Sequence, residues 1–306
     1  SWAFNDAFTL AATYGENEYE RTVAGTGDAY SWVWWPYPTA SRGIASGLVT
    51  ENGRDRREIF KIDADLYIGK HHLRIGFEDE DLNSVAQTTY SGSNAEENRG
   101  GYYYRGYDDN GNGVIEAGET LRLRVYKSGG SFDTLQKAVY IQDSWDATDR
   151  LNVNIGLRRS EYDNRNADGG TFIKVDGQDA LRLGATFDVA GDGSSKLYAS
   201  FGEYYLPIAA NTNIRLSGGE YFSQQFCSWD GTFAGGEESI PGVEAGSCGA
   251  LGLYGDGSVP DTRAGTDANI KPMHSEEIIL GYQTTLERGR LEGWDMNVYY
   301  VDRDLA

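Results

Sequence analysis

The sequence predicts an all-β protein, a transmembrane antiparallel β-barrel with long extracellular loops. Three observations favour this fold. About nine or ten segments alternate apolar and polar residues, as a strand with two different faces requires. These segments have roughly 10–13 residues, and the connections between them alternate between short and long. Strands of globular proteins usually have about 5–6 residues, whereas a tilted membrane-spanning strand needs about 9–11.

Each predicted strand has an apolar face and a polar or charged face. In 58–68, Phe60 and Ile62 share one face and Lys61 and Asp63 share the other. The first and fourth of the predicted strands alternate less regularly than the rest. In chain order the predicted strands are 4–14, 58–68, 72–78, 135–145, 151–158, 181–189, 196–205, 276–286 and 294–301.

The lengths of the connections favour a membrane barrel over a soluble sandwich. Outer-membrane barrels have short turns on the periplasmic side and long loops on the extracellular side. A soluble β-sandwich or jelly roll also has alternating strands, but its loops have no reason to segregate by length. The predicted short turns are 69–71, 146–149, 190–194 and 287–290, and the predicted extracellular loops are 22–57, 84–133, 164–178 and 206–274.

The composition excludes several other classes of protein. Lys and Arg total 27 and Asp and Glu total 47, so the formal net charge is −20. Such an acidic chain does not suit nucleic acid, whose phosphates need a positive surface, so no nucleic-acid partner is expected. Two cysteines are too few for a disulfide-dense scaffold, and no apolar run approaches the roughly 20 residues of a transmembrane helix.

The charged face of the predicted strands is expected to carry ion pairs. Opposite charges on neighbouring strands stabilise a sheet when they lie across from each other. The alternative is a path for a charged substrate through the barrel. The carboxylates are those of Asp63, Asp65 and Glu78, and the cations are those of Lys61, Arg74, Arg158 and Arg182.

Residues 108–119 match the calcium-binding loop of an EF-hand at every ligand position. Gly113 is at position six, where the loop turns sharply, and the apolar Ile115 is at position eight. The flanking segments are β-like, so the loop would join two strands, and the ion would be structural. An ordinary Asp/Asn/Gly turn uses the same residue types and is the alternative. The predicted Ca²⁺ ligands are Asp108, Asn110, Asn112, the carbonyl of Val114, Glu116 and Glu119.

The longest predicted loop contains both cysteines, Cys227 and Cys248. In an oxidising compartment a disulfide between them would close the loop and stabilise it by about 3 kcal/mol. Two unpaired thiols are the alternative. The absence of a nearby histidine disfavours a metal site.

An aromatic cluster in the first long loop is a candidate ligand-binding surface. It consists of Trp32, Trp34, Trp35 and Tyr37. Aromatic rings bind sugars, peptides and other apolar groups through their faces. Packing within the loop, or contact with the membrane interface, is the alternative.

The sequence contains no arrangement of residues that indicates catalysis, so an enzyme is not expected. His71, His72 and His274 have no partners in a catalytic pattern, and His71 and His72 lie at a predicted turn. The sequence also lacks a nucleophile elbow, a phosphate-binding loop and a dinucleotide-binding motif followed by a helix.

The segment Tyr140–Trp145, followed by Asp149–Arg158, resembles a hairpin of TonB-dependent outer-membrane receptors. Residues 183–188 and 196–202 resemble the next two strands of that family, in the same order. Residues 275–277 resemble the strand start that follows a long loop. The resemblance covers roughly 57–303 and is greatest to the Oar-like group.

The resemblance implies that residues 1–306 are part of a Gram-negative outer-membrane barrel of about 22 strands. The plug domain, the N-terminal region and the C-terminal strands would lie outside this chain. The implied function is uptake of a scarce nutrient, a siderophore, a glycan or a peptide, driven by the TonB complex through the plug. Outer-membrane lipid and lipopolysaccharide would surround the barrel.

Two other functions are compatible with such a barrel. The first is adhesion or complex formation, in which the calcium-stabilised surface loops bind a surface lipoprotein or another partner subunit. The second is a passive porin, which would lack a plug.

Overall fold

A computed structural model of the chain describes residues 1–23, 31–35, 41–42, 48–92, 101–234, 240–261, 267, 270–286, 289 and 293–305. Strands dominate this part of the chain, and none of its helices is long and apolar enough to cross a membrane. In chain order the elements are β1 (Trp2–Asn5), β2 (Phe8–Val23), β3 (Trp32–Trp34), β4 (Ser41–Arg42), β5 (Leu48–Ile68), β6 (His71–Tyr90), β7 (Tyr102–Gly106), β8 (Thr120–Thr148), β9 (Leu151–Arg165), β10 (Thr171–Asp188), β11 (Ser195–Tyr205), α1 (Ala210–Leu216), β12 (Gly219–Ala234), β13 (Ile240–Val243), β14 (Gly252–Asp256), β15 (His274–Thr285) and β16 (Asp295–Leu305).

Ten strands form one continuous antiparallel sheet, in the order β1-β2-β5-β6-β8-β9-β10-β11-β15-β16. Each strand pairs with the next in this order through antiparallel hydrogen bonds. Within the described residues this sheet is open, with β1 and β16 at its edges, as expected for part of a barrel wall. The prediction of about nine or ten strands is confirmed.

One face of the ten-strand sheet is apolar and exposed. Ile75, Ile141 and Leu157 are cross-strand partners on three consecutive strands, and their exposed fractions lie between 47% and 55%. A continuous apolar face of this kind is costly in water and matches the band that lipid covers on an outer-membrane barrel. The apolar faces predicted from the alternation are therefore confirmed.

The opposite face carries the predicted ion pairs. They join neighbouring strands, alternate positions of one strand, or two strands separated by one other strand, and the charges lie on the same side of the sheet. Arg182 is an exception, because its guanidinium stacks on the Tyr204 ring, 4.9 Å from the ring centroid. The pairs present are Lys61–Asp63 at 3.4 Å, Arg74–Asp65 at 2.8 Å and Arg158–Glu78 at 2.8 Å.

The first predicted strand, 4–14, is a hairpin rather than one strand. β1 ends at Asn5, and β2 begins at Phe8. The side-chain oxygen of Asn5 accepts a hydrogen bond from the Ala7 amide at 2.9 Å, which closes the turn between the two strands. Asn, followed by Asp, is a common turn residue for this reason.

Several strands are longer than the alternation predicted. β5, β6 and β8 have 21, 20 and 29 residues. Much of the extra length lies in segments predicted as the long loops 22–57 and 84–133. Strands can pair beyond a membrane without an apolar face, so the lipid-directed alternation does not mark where they end.

A second, smaller sheet extends from the far end of β8. Residues 120–129 of β8 pair with β12, and residues 121–125 pair with β7 on the other side. β3 lies parallel to β7, β4 pairs with β3, and β13 and β14 pair with β12. We call β3, β4, β7, residues 120–129 of β8, β12, β13 and β14 the distal sheet.

Glycines on the polar face of the ten-strand sheet lie beneath aromatic rings. Gly76 is the cross-strand partner of Tyr140, and a Cβ atom at Gly76 would overlap the Tyr140 ring. The hydroxyl of this tyrosine donates a hydrogen bond to Asp63. Gly281 has the same relation to Tyr198. These glycines make room for the rings, as in other sheets where an aromatic residue covers a glycine.

We predict that Gly76→Ala destabilises the barrel, because the new methyl group displaces the Tyr140 ring from Asp63. Overpacking of this kind typically costs about 1–3 kcal/mol. The measurement is the temperature at which the full-length protein in detergent loses its heat-modifiable migration on a gel. Gly184→Ala is the matched control, because a Cβ atom there meets its nearest neighbour at an ordinary 3.6 Å. The explanation would be wrong if Gly76→Ala lowered this temperature by the same amount in a protein that already carries Tyr140→Ala.

Candidate functional site

The distal sheet buries one of its faces in an apolar cluster. This face lies under the loop 108–119 and holds that loop against β12. Ile115 of the loop is 5% exposed within the cluster. The amide of Gly118 donates to the carbonyl of Trp229 at 2.8 Å, and the amide of Trp229 donates to the carbonyl of Glu119 at 2.9 Å. The buried members of the cluster are Val33, Trp35, Tyr104, Ile115, Leu121 and Trp229.

The other face of the distal sheet carries three arginines. Arg105 and Arg122 are direct cross-strand partners on β7 and β8, and Arg124 follows two residues later on the same face. Trp34 is the partner of Arg105 on β3, and Tyr103 is the partner of Arg124. We call Trp32, Trp34, Tyr103, Arg105, Arg122 and Arg124 the arginine face.

Aromatic rings cover the flat sides of these guanidinium groups. The guanidinium carbon of Arg105 is 4.2 Å from the ring centroid of Trp34 and 4.9 Å from that of Tyr107. The guanidinium carbon of Arg122 is 5.4 Å from the Tyr103 ring and 5.7 Å from the Tyr107 ring. Distances below about 6 Å are those of attractive cation–π contacts.

The charges of the arginine face are not balanced by the described part of the chain. No described carboxylate forms an ion pair with Arg105, Arg122 or Arg124. Arg122 is 7% exposed, and the buried Nε atoms of Arg105 and Arg122 have no hydrogen-bond partner among the described residues. Burial of the Arg122 guanidinium away from water lowers its pKa, and the nearby Arg124 and Arg105 charges also lower it. Like charges directly across a sheet are destabilising.

The loop 108–119 is closed by its own carboxylates. Glu119 is 8% exposed, and its carboxylate accepts hydrogen bonds from the amides of Asp109, Asn110 and Glu116 at 3.1, 3.3 and 2.7 Å. Asp108 accepts from the amides of Gly111, Asn112 and Gly113 at 2.7, 3.1 and 2.7 Å. Both carboxylates therefore point into the loop from its two ends.

The remaining predicted calcium ligands lie in the same loop. The side-chain amides of Asn110 and Asn112 each donate a hydrogen bond to Glu116 Oε2, with Nδ2 to Oε2 distances of 3.2 Å. Among the described residues, no group of three or more His, Cys, Asp or Glu side chains is arranged to hold a metal ion. The EF-hand pattern draws on side-chain amides and a main-chain carbonyl as well, so the calcium site stays a prediction.

The predicted aromatic surface divides between the two faces of the distal sheet. Trp32 and Trp34 lie on the arginine face, where Trp32 stacks on Tyr103 with 4.4 Å between ring centroids. Trp35 is 3% exposed and contacts the rings of Trp229 and Phe233 at 4.9 and 5.0 Å, which is packing within the loop region. Tyr37 lies outside the described residues.

The arginines were not selected from the sequence, although the sequence contains their signal. Leu121, Leu123 and Val125 alternate with Arg122 and Arg124. This alternation predicts that both arginines share one face of a strand. It does not identify the strand that pairs with them, and that strand brings Arg105 into the same face.

Cys227 and Cys248 form a disulfide. Cys227 belongs to β12 and is 4% exposed, whereas Cys248 lies in the connection between β13 and β14. The bond therefore ties that connection to the middle of the distal sheet.

Comparisons with known proteins point to one family. A family model described as TonB dependent receptor-like, beta-barrel, matches residues 1–304. The TonB-dependent transporter Oar of Myxococcus xanthus is 25% identical over 167 residues, which cover 46% of this chain and 15% of Oar.

Two solved structures are also similar to this chain. The ferric citrate transporter FecA, in its unliganded form, has 11% identity and a TM-score of 0.41, with 99% of this chain and 41% of FecA covered. The alcaligin outer-membrane receptor FauA of Bordetella pertussis has 10% identity and a TM-score of 0.30, with 99% and 51% covered. The chain thus spans about half or less of the length of these relatives.

We predict that removal of the disulfide loosens the connection between β13 and β14. Replacing Cys227 and Cys248 with Ser should cost about 3 kcal/mol of local stability, because the 21-residue separation is no longer closed. The measurement is limited proteolysis of the full-length protein, with cleavage sites located by mass spectrometry. Reductant should reproduce the effect in the native protein and have none on the variant. Equal cleavage of both proteins would refute the prediction.

Proposed function

The chain belongs to the TonB-dependent receptor-like β-barrel family of Gram-negative outer membranes, and from that premise we propose that it is part of a receptor that imports a scarce nutrient. The nutrient would be a siderophore, a glycan or a peptide. Energy would come from the TonB complex, acting through a plug domain inside the barrel. The protein would be a transporter and not an enzyme.

The observation that carries this proposal is the match of the family model to residues 1–304, nearly the whole chain. The fold is compatible with it. A ten-strand antiparallel sheet with an exposed apolar face suits a position in lipid. Its opposite face carries ion pairs and polar residues, which suits a water-filled or plugged interior.

The distal sheet is the proposed site of first contact with the nutrient. It lies at the end of β8 where long loops were predicted, and this end would face the extracellular side of an outer-membrane barrel. Trp32 and Trp34 are half-buried on its arginine face, so part of each ring is accessible. Trp, Tyr and Arg are enriched among the residues that contribute most to binding.

Adhesion or complex formation with a surface lipoprotein or other subunit is the second candidate function. One observation favours it. Leu251, Leu253 and Tyr254, next to or in the edge strand β14, have exposed fractions of 56%, 53% and 66%. An exposed apolar group on a sheet edge is a common contact for a partner protein.

We further propose that the loop 108–119 binds a structural Ca²⁺ ion. Asp108, Asn110, Asn112, Glu116 and Glu119 would supply side-chain oxygens, and Val114 its carbonyl. The convergence of the Asp108 and Glu119 carboxylates supports the proposal. The ion would neutralise carboxylates that now share only amide donors, and it would stiffen the connection between β7 and β8.

Active uptake should disappear when energy coupling is removed. The test uses a strain that encodes the full-length receptor, with and without a functional TonB protein, and three labelled probes: a ferric siderophore, an oligosaccharide and an oligopeptide. We expect uptake of one probe to require both the receptor and TonB. Uptake that needs the receptor but not TonB would indicate a porin, and partner binding without uptake would indicate adhesion.

Glu119→Gln should abolish the protection that calcium gives the loop 108–119 against protease. The substitution replaces one of the two carboxylate oxygens that would bind the ion with an NH2 group. The amide oxygen that remains can still accept from the Asp109 and Asn110 amides, and the bond from the Glu116 amide is lost. The measurement is the ratio of cleavage rates in Ca²⁺ and in EDTA. Glu220→Gln, an exposed position on β12, is the matched control for loss of one charge. A native protein with the same cleavage rate in both conditions would exclude the site.

A further inference from the structure

We propose that the arginine face binds the oxyanion group of a small ligand, a carboxylate or a phosphate, whose flat or apolar portion packs on the neighbouring aromatic rings. The proposal rests on the proposed function of a nutrient receptor and narrows the class of nutrient to an anionic one. It is carried by the guanidinium groups of Arg105, Arg122 and Arg124, which share one face of adjacent strands without a described carboxylate partner.

The rest of the chain shows how unusual these arginines are. Elsewhere in the described sheet, several arginines meet carboxylates at close range, as Arg57 does with Glu80 at 2.6 Å and Arg74 with Asp65 at 2.8 Å. Arg182 stacks on a tyrosine ring instead, but its side chain is exposed to water. Carboxylates are abundant, since Asp and Glu exceed Lys and Arg by 47 to 27. The buried guanidinium of Arg122 has no counter-charge among the described residues, which is costly, so an external anion would stabilise it.

The acidic residues nearest in sequence are already engaged. Asp108, Asp109 and Glu119 accept hydrogen bonds from backbone amides of the loop or its flank, at distances between 2.7 and 3.3 Å. Glu116 accepts from the side-chain amides of two asparagines. The hairpin that carries the arginines therefore separates its own charges, with the carboxylates at the tip and the guanidinium groups along its body.

Aromatic stacking does not satisfy these guanidinium groups. A ring covers the flat side of a guanidinium, whereas its five N–H donors point outward in the plane. Arg124 uses its Nε donor on the Gln224 side chain at 2.7 Å. Within the described part of the chain, the Nε atoms of Arg105 and Arg122 have no hydrogen-bond partner. A carboxylate or phosphate accepts paired donors from such an edge, which gives both strength and direction.

The surroundings of the arginines suit a ligand with an apolar portion. Phe226 on β12 is the cross-strand partner of Arg122 and is 46% exposed. Trp34 stacks on Arg105 from β3. An apolar ring on one side and an indole on the other would border an anion bound between Arg105 and Arg122.

The arginine face lies on the same side of β8 as the polar face of the ten-strand sheet. The pairing of β8 with β6 and then with β12 continues without a bulge from Trp145 to Thr120. Side chains at every second position of an unbroken strand share a face. Arg122 and Arg124 therefore lie on the same face of β8 as Tyr140 and Gln142. A bound anion would be on the interior side of the barrel wall.

The test measures anion binding to the purified full-length receptor in detergent by calorimetry and tryptophan fluorescence. The probes are benzoate, its uncharged analogue benzamide, and inorganic phosphate. The variants are Arg122→Gln, Arg122→Lys and the half-buried Arg105→Gln, with Arg215→Gln on the exposed end of α1 as the matched control. Heat-modifiable migration establishes that each variant is folded.

We expect benzoate or phosphate to bind at least about tenfold more tightly than benzamide, and more weakly as salt is added. Arg122→Gln and Arg105→Gln should each weaken anion binding by about tenfold or more, Arg122→Lys should weaken it less, and Arg215→Gln should leave it unchanged. Tighter binding of benzoate than of phosphate would assign the site to a carboxylate that carries a ring. The reverse order would assign it to a phosphate group.

Equal binding of benzoate and benzamide with no measurable binding of phosphate, or identical behaviour of Arg105→Gln and Arg215→Gln, would overturn the proposal and leave the arginines a purely structural role. This outcome is distinguishable from failure of the proposed function. Anion binding is measured without TonB, so its loss with intact TonB-dependent uptake would remove only the oxyanion site.

Discussion

The hydrogen-bond register of β8 is the constraint on which the rest of this structure depends. β8 runs for 29 residues and belongs to both sheets, with β6 and β9 as its neighbours at one end and β7 and β12 at the other. In lipid every backbone donor and acceptor must be paired within the protein, so strand pairing there tolerates few gaps. The pairing of β8 continues beyond the apolar band without a bulge. Each face of the ten-strand sheet therefore continues along β8 as one face of the distal sheet.

The charged side chains on and beside β8 are paired at one end of the strand and lack a described carboxylate partner at the other. Next to its membrane portion, the Tyr140 hydroxyl bonds to Asp63, and Arg158 on β9 pairs with Glu78 on β6 across the intervening β8. At its distal end, Arg122 faces Arg105 and no described acid. Ion pairs in the first region match positive with negative side chains on the polar face. In the second region a positive surface is maintained in a chain with net charge −20, which suits attraction of an anion.

The sequence predicted the faces of the strands better than their ends or partners. Alternation assigned Ile75, Ile141 and Leu157 to one face, and the structure aligns them across three strands. It did not predict that β8 is continuous as far as Thr120, because the mostly polar and Gly-containing residues 126–134 interrupt the alternation. Trp34 and Trp35 were grouped as one surface, yet adjacent residues point to opposite faces as a strand ends, and only Trp35 is buried. Arg105 could not be linked to Arg122 without the pairing of β7 with β8.

The loop 108–119 explains how the two arginines come to lie opposite each other. It joins β7 to β8, and its closure aligns Tyr107 with Thr120, whose backbone groups are 2.9 Å apart. From that point the register leads directly to Gly106 with Leu121 and Arg105 with Arg122. Repulsion between the arginines acts against this register, whereas Ile115 in the apolar cluster and Glu119 across the loop stabilise it. An ion in the loop and an anion on the arginine face would therefore stabilise the same pairing, so the two proposed ligands would favour each other's binding without contact between them.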